Sequence, residues 1–398
     1  MIQSNISRVA AACLLAASLS GCAAIEDFLA PLGDPAVEQV AAEPLPPIEE
    51  RPRLEPQNRN YFVLESPDQS VIGEPQVVFT SEEHTFSDLA REYGLGYDEI
   101  VEANPDIDPW LPGEGTPVLL PTQFVLPEAP RSGIVLNIAS KRLFYFPAVE
   151  EGEPQVVMTY PIGIGRVGWE TPLGSSTVIA KARDPQWYVP ASVRREHEEL
   201  GDPLPAVVPP GPDNPLGRHV LKLDIPGYLI HGTNAPAGVG MRVSHGCVRL
   251  YPENIELLYD LVAVGESVSI INEPFLVGTK DGDIYFEAHA PLEDDPINPD
   301  TRLADRLGDI EGLAAEQGTR FSIESMRTAA DAGLGVPVRL TGADDLMARS
   351  RIVENTVELD PEMPTLAEVR EILDAPAEDE VDVSPAVAQD DGQSAANE

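Results

Sequence analysis

The feature that most constrains the fold is a dense succession of short apolar runs between residues 133 and 272. "IVLNIA", "RLFYFP", "VVMTYPIGI", "STVIAKA", "HVLKLD", "YLIHGT", "CVRLY" and "SVSIIN" follow one another, none longer than nine residues. Gly, Pro, Asn and Asp fill the gaps, where they supply turn conformations that other residues resist. A helix needs a longer stretch of 3.6-residue periodicity to bury a stripe, so these runs specify a sheet-built domain. "ASKR" at 139–142 marks a hairpin turn. One helical stripe interrupts the pattern. Pro252 opens it, Ile255, Leu258, Tyr259 and Val262 share a face, and Gly265 stops it. "VPPGPDNPLG" at 208–217 has the prolines and glycines of a loop.

At 398 residues the chain is long enough for two or three folded units. Residues 76–122 read as one of them. "PQVVFT" suits a strand, and Thr85 with Asp88 forms the start of a capping box. Phe86, Leu89, Ala90 and Tyr93 then fall at i, i+3, i+4 and i+7, with Gly94 as the stop. A second helix places Tyr97, Ile100 and Val101 on one face and ends at "NPDI", and "GTPVLLPT" closes the unit as a strand. Before it, residues 22–75 are rich in Pro, Glu and Ala and read as an extended tether, with "YFVL" at 61–64 as a candidate strand. Residues 273–375 form an extension. Helical stretches are expected in it at 301–315, 322–332 and 365–373, and a strand in "GVPVRLTG". The acidic end, 376–398, lacks aromatics and is expected to be disordered.

The chain carries 26 Lys and Arg against 67 Asp and Glu, a formal charge of −41. That balance excludes nucleic acid and anionic membrane as charge-driven partners. At the N-terminus, Arg8 precedes an apolar run too short to span a bilayer. The run ends in Leu19-Ser20-Gly21-Cys22, which resembles the lipobox of bacterial lipoproteins. The resemblance implies removal of residues 1–21, acylation of Cys22 and, with Ala23 next, a periplasmic protein anchored to the outer membrane. Cys13 would leave with the signal and Cys22 would be acylated. Cys247 then has no partner for an intrachain disulfide.

An unpaired thiol in an oxidising compartment is a liability unless it is buried or used. To attack a carbonyl it must lose its proton, and an imidazole can take it if a third group holds the ring in the useful tautomer. The oxyanion that develops then needs backbone N–H donors close by. His231 ends the apolar run "GYLI", at what would be a sheet edge, with Gly232 after it. Gly246 directly precedes Cys247 and lets a substrate approach the main chain. Two other roles compete: an inert core cysteine, and a zinc site drawn from His219, His231, His245 and Cys247. The zinc site is conceivable by ligand type and is the weaker of these readings.

"IHGT" at 230–233 and "SHGCVRL" at 244–250 resemble the signature of L,D-transpeptidases, the YkuD-type catalytic domain. The 16-residue spacing from His231 to Cys247 suits that family. The resemblance spans residues 132–272 and includes "YPIGIG", "WETPLG", "PPGPDNPLG" and "GVGMR". It implies a mainly β catalytic domain, a mixed sheet or sandwich with one helix. "HTFSDLAREYGLGYDEIVEANP" and "LPGEGTPVLLP" likewise resemble a LysM module, a small α+β unit that binds glycan chains. The whole is then a multidomain chain: LysM-like module, catalytic domain, partly helical extension.

Carried over residue by residue, the resemblance makes Cys247 the nucleophile and His231 its general base, with the Gly232 carbonyl orienting the imidazole. His245, Gly246 and Cys247 would supply or frame oxyanion-hole amides, and Ser244 would fix the loop. Ser244, Thr233, Arg249 and Arg242 are the implied substrate contacts, the arginines meeting either a stem-peptide carboxylate or an internal acid. The implied partners are peptidoglycan stem peptides, glycan chains and an abundant wall-linked lipoprotein. Neither cofactor nor metal is implied, because the energy comes from the peptide bond that is exchanged. A hydrolase or L,D-carboxypeptidase using the same thiol, and a non-catalytic tether between membrane and wall, are the competing functions.

Overall fold

The computed structural model describes residues 59–150 and 152–358. The signal segment, Cys22, the tether up to residue 58, the expected helix at 365–373 and the acidic tail lie outside the described residues.

The chain opens with β1 (Tyr61–Val63) and β2 (Val71–Gly73). A strand–helix–helix–strand unit follows: β3 (Gln76–Phe79), α1 (Phe86–Glu92), α2 (Tyr97–Ala103) and β4 (Pro117–Leu120). The capping box forms as the sequence expects. The Asp88 amide donates to Thr85 Oγ1 and the Asp88 carboxylate accepts from the Thr85 amide. After β5 (Gln123–Val125) come β6 (Gly133–Asn137), β7 (Arg142–Phe146) and β8 (Val156–Pro161), the first two joined by the hairpin turn at 139–142. The short β9 (Ile164–Gly165) precedes the long β10 (Gly174–Arg183).

An excursion then carries β11 (Trp187–Tyr188), α3 (Ala191–Glu199) and β12 (Val207–Val208) before the chain returns through β13 (His219–Leu223) and β14 (Leu229–His231). β15 (Arg242–Ser244) and β16 (Val248–Arg249) flank the loop of Cys247, and α4 (Pro252–Leu261) leads to β17 (Ser267–Ile271). The extension contains β18 (Phe275–Lys280), β19 (Asp283–Ala288), α5 (Pro299–Gln317), α6 (Ile323–Ala332), β20 (Val338–Arg339), α7 (Leu346–Arg349) and β21 (Arg351–Ile352). Among the described residues no helix is long and apolar enough to cross a membrane.

One curled sheet of nine strands dominates, in the order β1-β8-β7-β6-β17-β10-β13-β14-β16. Every residue of β6 and β7 is buried, and their alternate side chains serve two cores. Ile134, Leu136, Leu143 and Tyr145 face a cluster with Ile255, Leu258 and Leu261 of α4. Val135, Phe144 and Phe146 face the other way, into a cluster with Phe86, Leu89 and Ile100 of the strand–helix–helix–strand unit. Covering both faces turns an alternating strand into a continuous apolar run, which is how β6 and β7 look in the sequence. The N-terminal unit is therefore packed on the back of the catalytic sheet. Fully buried Arg142 stitches the two together through a two-pronged ion pair with Glu99 of α2, at 2.7 Å on each prong, and a bond to the Gly94 carbonyl. Removing one partner would strand the other charge in the core, at a cost of roughly 3–5 kcal/mol.

Two expectations need correction. The tether does not extend to residue 75: β1 pairs antiparallel with β8, and β2 with β5. Tyr61 and Phe62 pack on opposite faces of the sheet, so this segment has the apolar side chains to join it despite its Pro- and Glu-rich neighbours. The catalytic region also holds two helices rather than one. α3 buries only Val193 and shows no apolar stripe, so periodicity could not announce it. In the extension, the helices expected at 301–315 and 322–332 are α5 and α6, packed on the β18–β19–β20 sheet. β21 pairs in parallel with β3, so the extension returns to the N-terminal unit.

Candidate active site

The site begins with a strand pairing. β14 and β16 run parallel, with Ile230 beside Val248 and His231 beside Arg249. Side chains two apart in a strand share a face. Leu229 and His231 therefore share a face with Arg249, and Cys247 lies one step before β16. Ile230, Val248 and Leu250 turn inward to the apolar core and fix this register, since a one-residue slip would bury the polar set instead.

His231 is buried, and its Nδ1 lies 2.6 Å from the Gly232 carbonyl oxygen. A carbonyl only accepts, so Nδ1 holds the proton and Nε2 is left as the basic nitrogen. Burial, with the nearby Arg249 charge adding to it, pulls the His231 pKa down to about 3, against the opposing pull of carbonyl bonds at Gly232 and Leu216. The imidazole is thus neutral at ordinary pH, the state able to accept a proton. Burial pushes the Cys247 thiol up, while a Leu229 backbone bond and the Arg249 charge pull it down. The sulfur lies 3.6 Å from the Gly227 carbonyl oxygen. Burial thus favours the neutral form of both the thiol and the imidazole.

The loop that carries Cys247 is held from several sides. Ser244 Oγ donates to the Cys247 carbonyl at 2.6 Å and accepts from the Gly246 amide at 3.2 Å. Thr171 Oγ1 donates to the Gly246 carbonyl at 2.9 Å. Gly246 has a φ of 100°, and a Cβ there would come within 2.9 Å of the Tyr228 ring. Both the left-handed backbone and the space demand glycine. The loop entering β15 meets the N-terminal unit: the Tyr97 amide donates to the Val239 carbonyl, and a Cβ on Gly240 would lie 2.2 Å from the Gly96 Cα.

His245 has a different setting. Its Nε2 lies 2.8 Å from Glu196 Oε2 of α3, and Arg166 bonds the other oxygen of the same carboxylate. The His245 ring meets Trp169 edge-on, with centroids 4.9 Å apart. Burial lowers the His245 pKa, with the Glu196 hydrogen bond opposing it. His219, weighed as a metal ligand, instead packs its ring on Tyr259, 4.9 Å between centroids.

Of the four residues expected to touch substrate, three have other work. Ser244 is buried beneath its own loop, and Thr233 Oγ1 accepts from the Ala235 amide. Arg242 donates to the Gly165 carbonyl and forms an ion pair with Asp294 of the extension at 2.5 Å. Short polar side chains in tight loops find backbone partners first, which accounts for Ser244 and Thr233. Arg249 differs: its Nε is buried and has no hydrogen-bond partner among the described residues. The Gly246 amide, expected as an oxyanion donor, is taken by Ser244. Sequence reasoning missed Glu196, Arg166, Thr171 and Tyr228. "WETPLG" hinted at Thr171, but no local signal pointed to Glu196.

The model of the YkuD L,D-transpeptidase catalytic domain matches residues 131–270. A probable L,D-transpeptidase, YcfS of Escherichia coli, is 37% identical over 71% of this chain and 89% of its own length. Another, YbiS of Escherichia coli, is 42% identical over 56% of this chain and 72% of its own. The solved structure of the Ldtfm–avibactam carbamoyl enzyme aligns with a TM-score of 0.28 at 20% identity. That alignment covers 37% of this chain and spans about half of that one, 51%. The family match and these relatives define the class, an acyltransferase. The chain belongs to the L,D-transpeptidase family.

Proposed function

We propose that Cys247 is the nucleophile of a two-step transfer on peptidoglycan stem peptides and that His231 is its general base and acid. Cys247 Sγ attacks the carbonyl that joins the third residue of a tetrapeptide stem to its terminal D-alanine. His231 Nε2 takes the thiol proton and returns it to the leaving amine, so D-alanine departs and a thioester remains. An amine then attacks the thioester, the acyl group passes to it, and the thiol is restored. The acceptor is the diaminopimelate side chain of a second stem or a lysine of a wall-linked lipoprotein.

The observation that supports this reading is the parallel β14–β16 pairing, which sets His231 beside Arg249, two residues after Cys247. The Gly232 carbonyl supports it by holding the proton on Nδ1, which makes Nε2 the basic nitrogen. Arg249, with an unpaired buried Nε, suits a stem carboxylate, and the Cys247 amide is the candidate oxyanion donor. We also read Cys22 as lipid-anchored at the outer membrane, with the protein in the periplasm and the unit at 76–122 as a LysM-like binder of glycan chains.

Incubation with purified tetrapeptide-stem muropeptides, followed by mass analysis, tests the reading. Cross-linked dimers or amine-exchanged stems with release of D-alanine are expected. Tripeptides alone would replace transfer by hydrolysis, and unchanged substrate would leave a wall-binding tether.

A further inference from the structure

The excursion between β10 and β13 is closed at its neck by the Asp184 amide on the Arg218 carbonyl at 2.7 Å and by Asn214 Nδ2 on the Pro185 carbonyl at 2.8 Å. Beyond the neck it holds α3, whose single buried side chain is Val193. A helix so polar gains little from burial, and its placement depends on specific bonds. Those bonds converge on Glu196. One carboxylate oxygen accepts from Arg166, just after β9, and the other from His245, two residues before Cys247. Arg166 is tied back to β15, its amide donating to the Ser244 carbonyl at 3.0 Å, and its carbonyl accepts from the Trp169 amide at 2.9 Å. Trp169 completes the enclosure of the His245 ring.

We propose that Glu196 is a positioning residue for acyl transfer: by bridging Arg166 and His245 it fixes the loop that presents Cys247 and holds α3 against that loop. This rests on the reading of Cys247 as nucleophile. The carboxylate acts through geometry alone. His245 is one peptide from Gly246, so rotation of its ring and backbone would tilt the Gly246–Cys247 peptide, whose amide is the candidate oxyanion donor.

The test is single-turnover formation of the acyl-enzyme from a tetrapeptide-stem muropeptide, followed by intact mass, in the full chain with Glu196→Ala and Glu196→Gln. Glu196→Ala is expected to slow acylation about ten- to a hundredfold, because small misplacements of reacting groups carry penalties of that order. Its thermal midpoint should stay close to that of the unsubstituted protein, since the residue lies on a polar, poorly buried helix. Glu196→Gln keeps an acceptor for His245 Nε2 and should recover most of the rate. An unchanged acylation rate in Glu196→Ala, or equal losses in both variants together with a lowered midpoint, overturns the proposal. Cys247→Ala serves as the separate control: an acyl adduct on that variant would refute the nucleophile assignment and leave the Glu196 comparison to be judged on its own rates.

Discussion

The two histidines near the thiol are held by opposite strategies. His231 sits at the end of β14, one strand in from the sheet edge, buried, with its tautomer set by the carbonyl of the next residue. His245 sits in a loop and is held by a carboxylate 49 residues away in sequence, on a helix with little core of its own. The first arrangement is nearly self-contained: a strand register and one peptide suffice. The second exists only when β9, β15 and α3 have come together. Burial keeps the resting His231 ring neutral. The His245 loop is held by polar contacts that reach it from other segments.

This contrast can be broken at several points. Replacing Cys247 with Ala should abolish acyl-enzyme formation altogether, as read by intact mass after incubation with stem peptides. His231→Gln should keep the buried polar volume yet lose roughly 10²- to 10⁴-fold in acylation rate, the usual worth of a general base. A loss of tenfold or less would mean that His245 can serve in its place. Gly246→Ala forces a φ of 100° on a residue with a Cβ, and should lower unfolding free energy by about 1–3 kcal/mol. Denaturant midpoints would show it.

Acid should expose the burial of His231. Its pKa is 6.5 in the unfolded chain and about 3 in the fold. Between these values the unfolded state binds a proton that the native state refuses, so stability falls as pH drops through this window. The slope amounts to about 1.4 kcal/mol per pH unit. Denaturation curves of the unsubstituted protein and His231→Gln should therefore converge as pH falls from 6.5 toward 3, and parallel curves would contradict the buried neutral ring. The smallest effect is expected at Arg249. Its charge lowers the thiol pKa, so Arg249→Met should move the pH dependence of Cys247 alkylation to higher pH.

The legible parts of this protein are those whose cause is local. Thr85 and Asp88 cap α1 within four residues, and the spacing from His231 to Cys247 is read directly along the chain. The runs of β6 and β7 announced burial but not what lay on each side. Only the packing of α4 on one face and of α1 and α2 on the other explains why no residue in them is polar-facing apart from the buried Asn137 and Arg142. Arg242 and Ser244 looked like substrate contacts because residue type in a motif cannot say which partner wins. Asp294 lies 52 residues from Arg242, and it was the fold that brought them together.

The sequence by itself determined the sheet-built catalytic unit, the helical stripe after the thiol and the histidine–cysteine spacing, because strand alternation, capping and turn chemistry act over a few residues. Tertiary structure alone decided which polar side chains remain free at the site, why α3 lies where it does, and how deeply His231 is buried. Those properties depend on burial and on charges placed by distant segments, and neither is a property of any short stretch of chain.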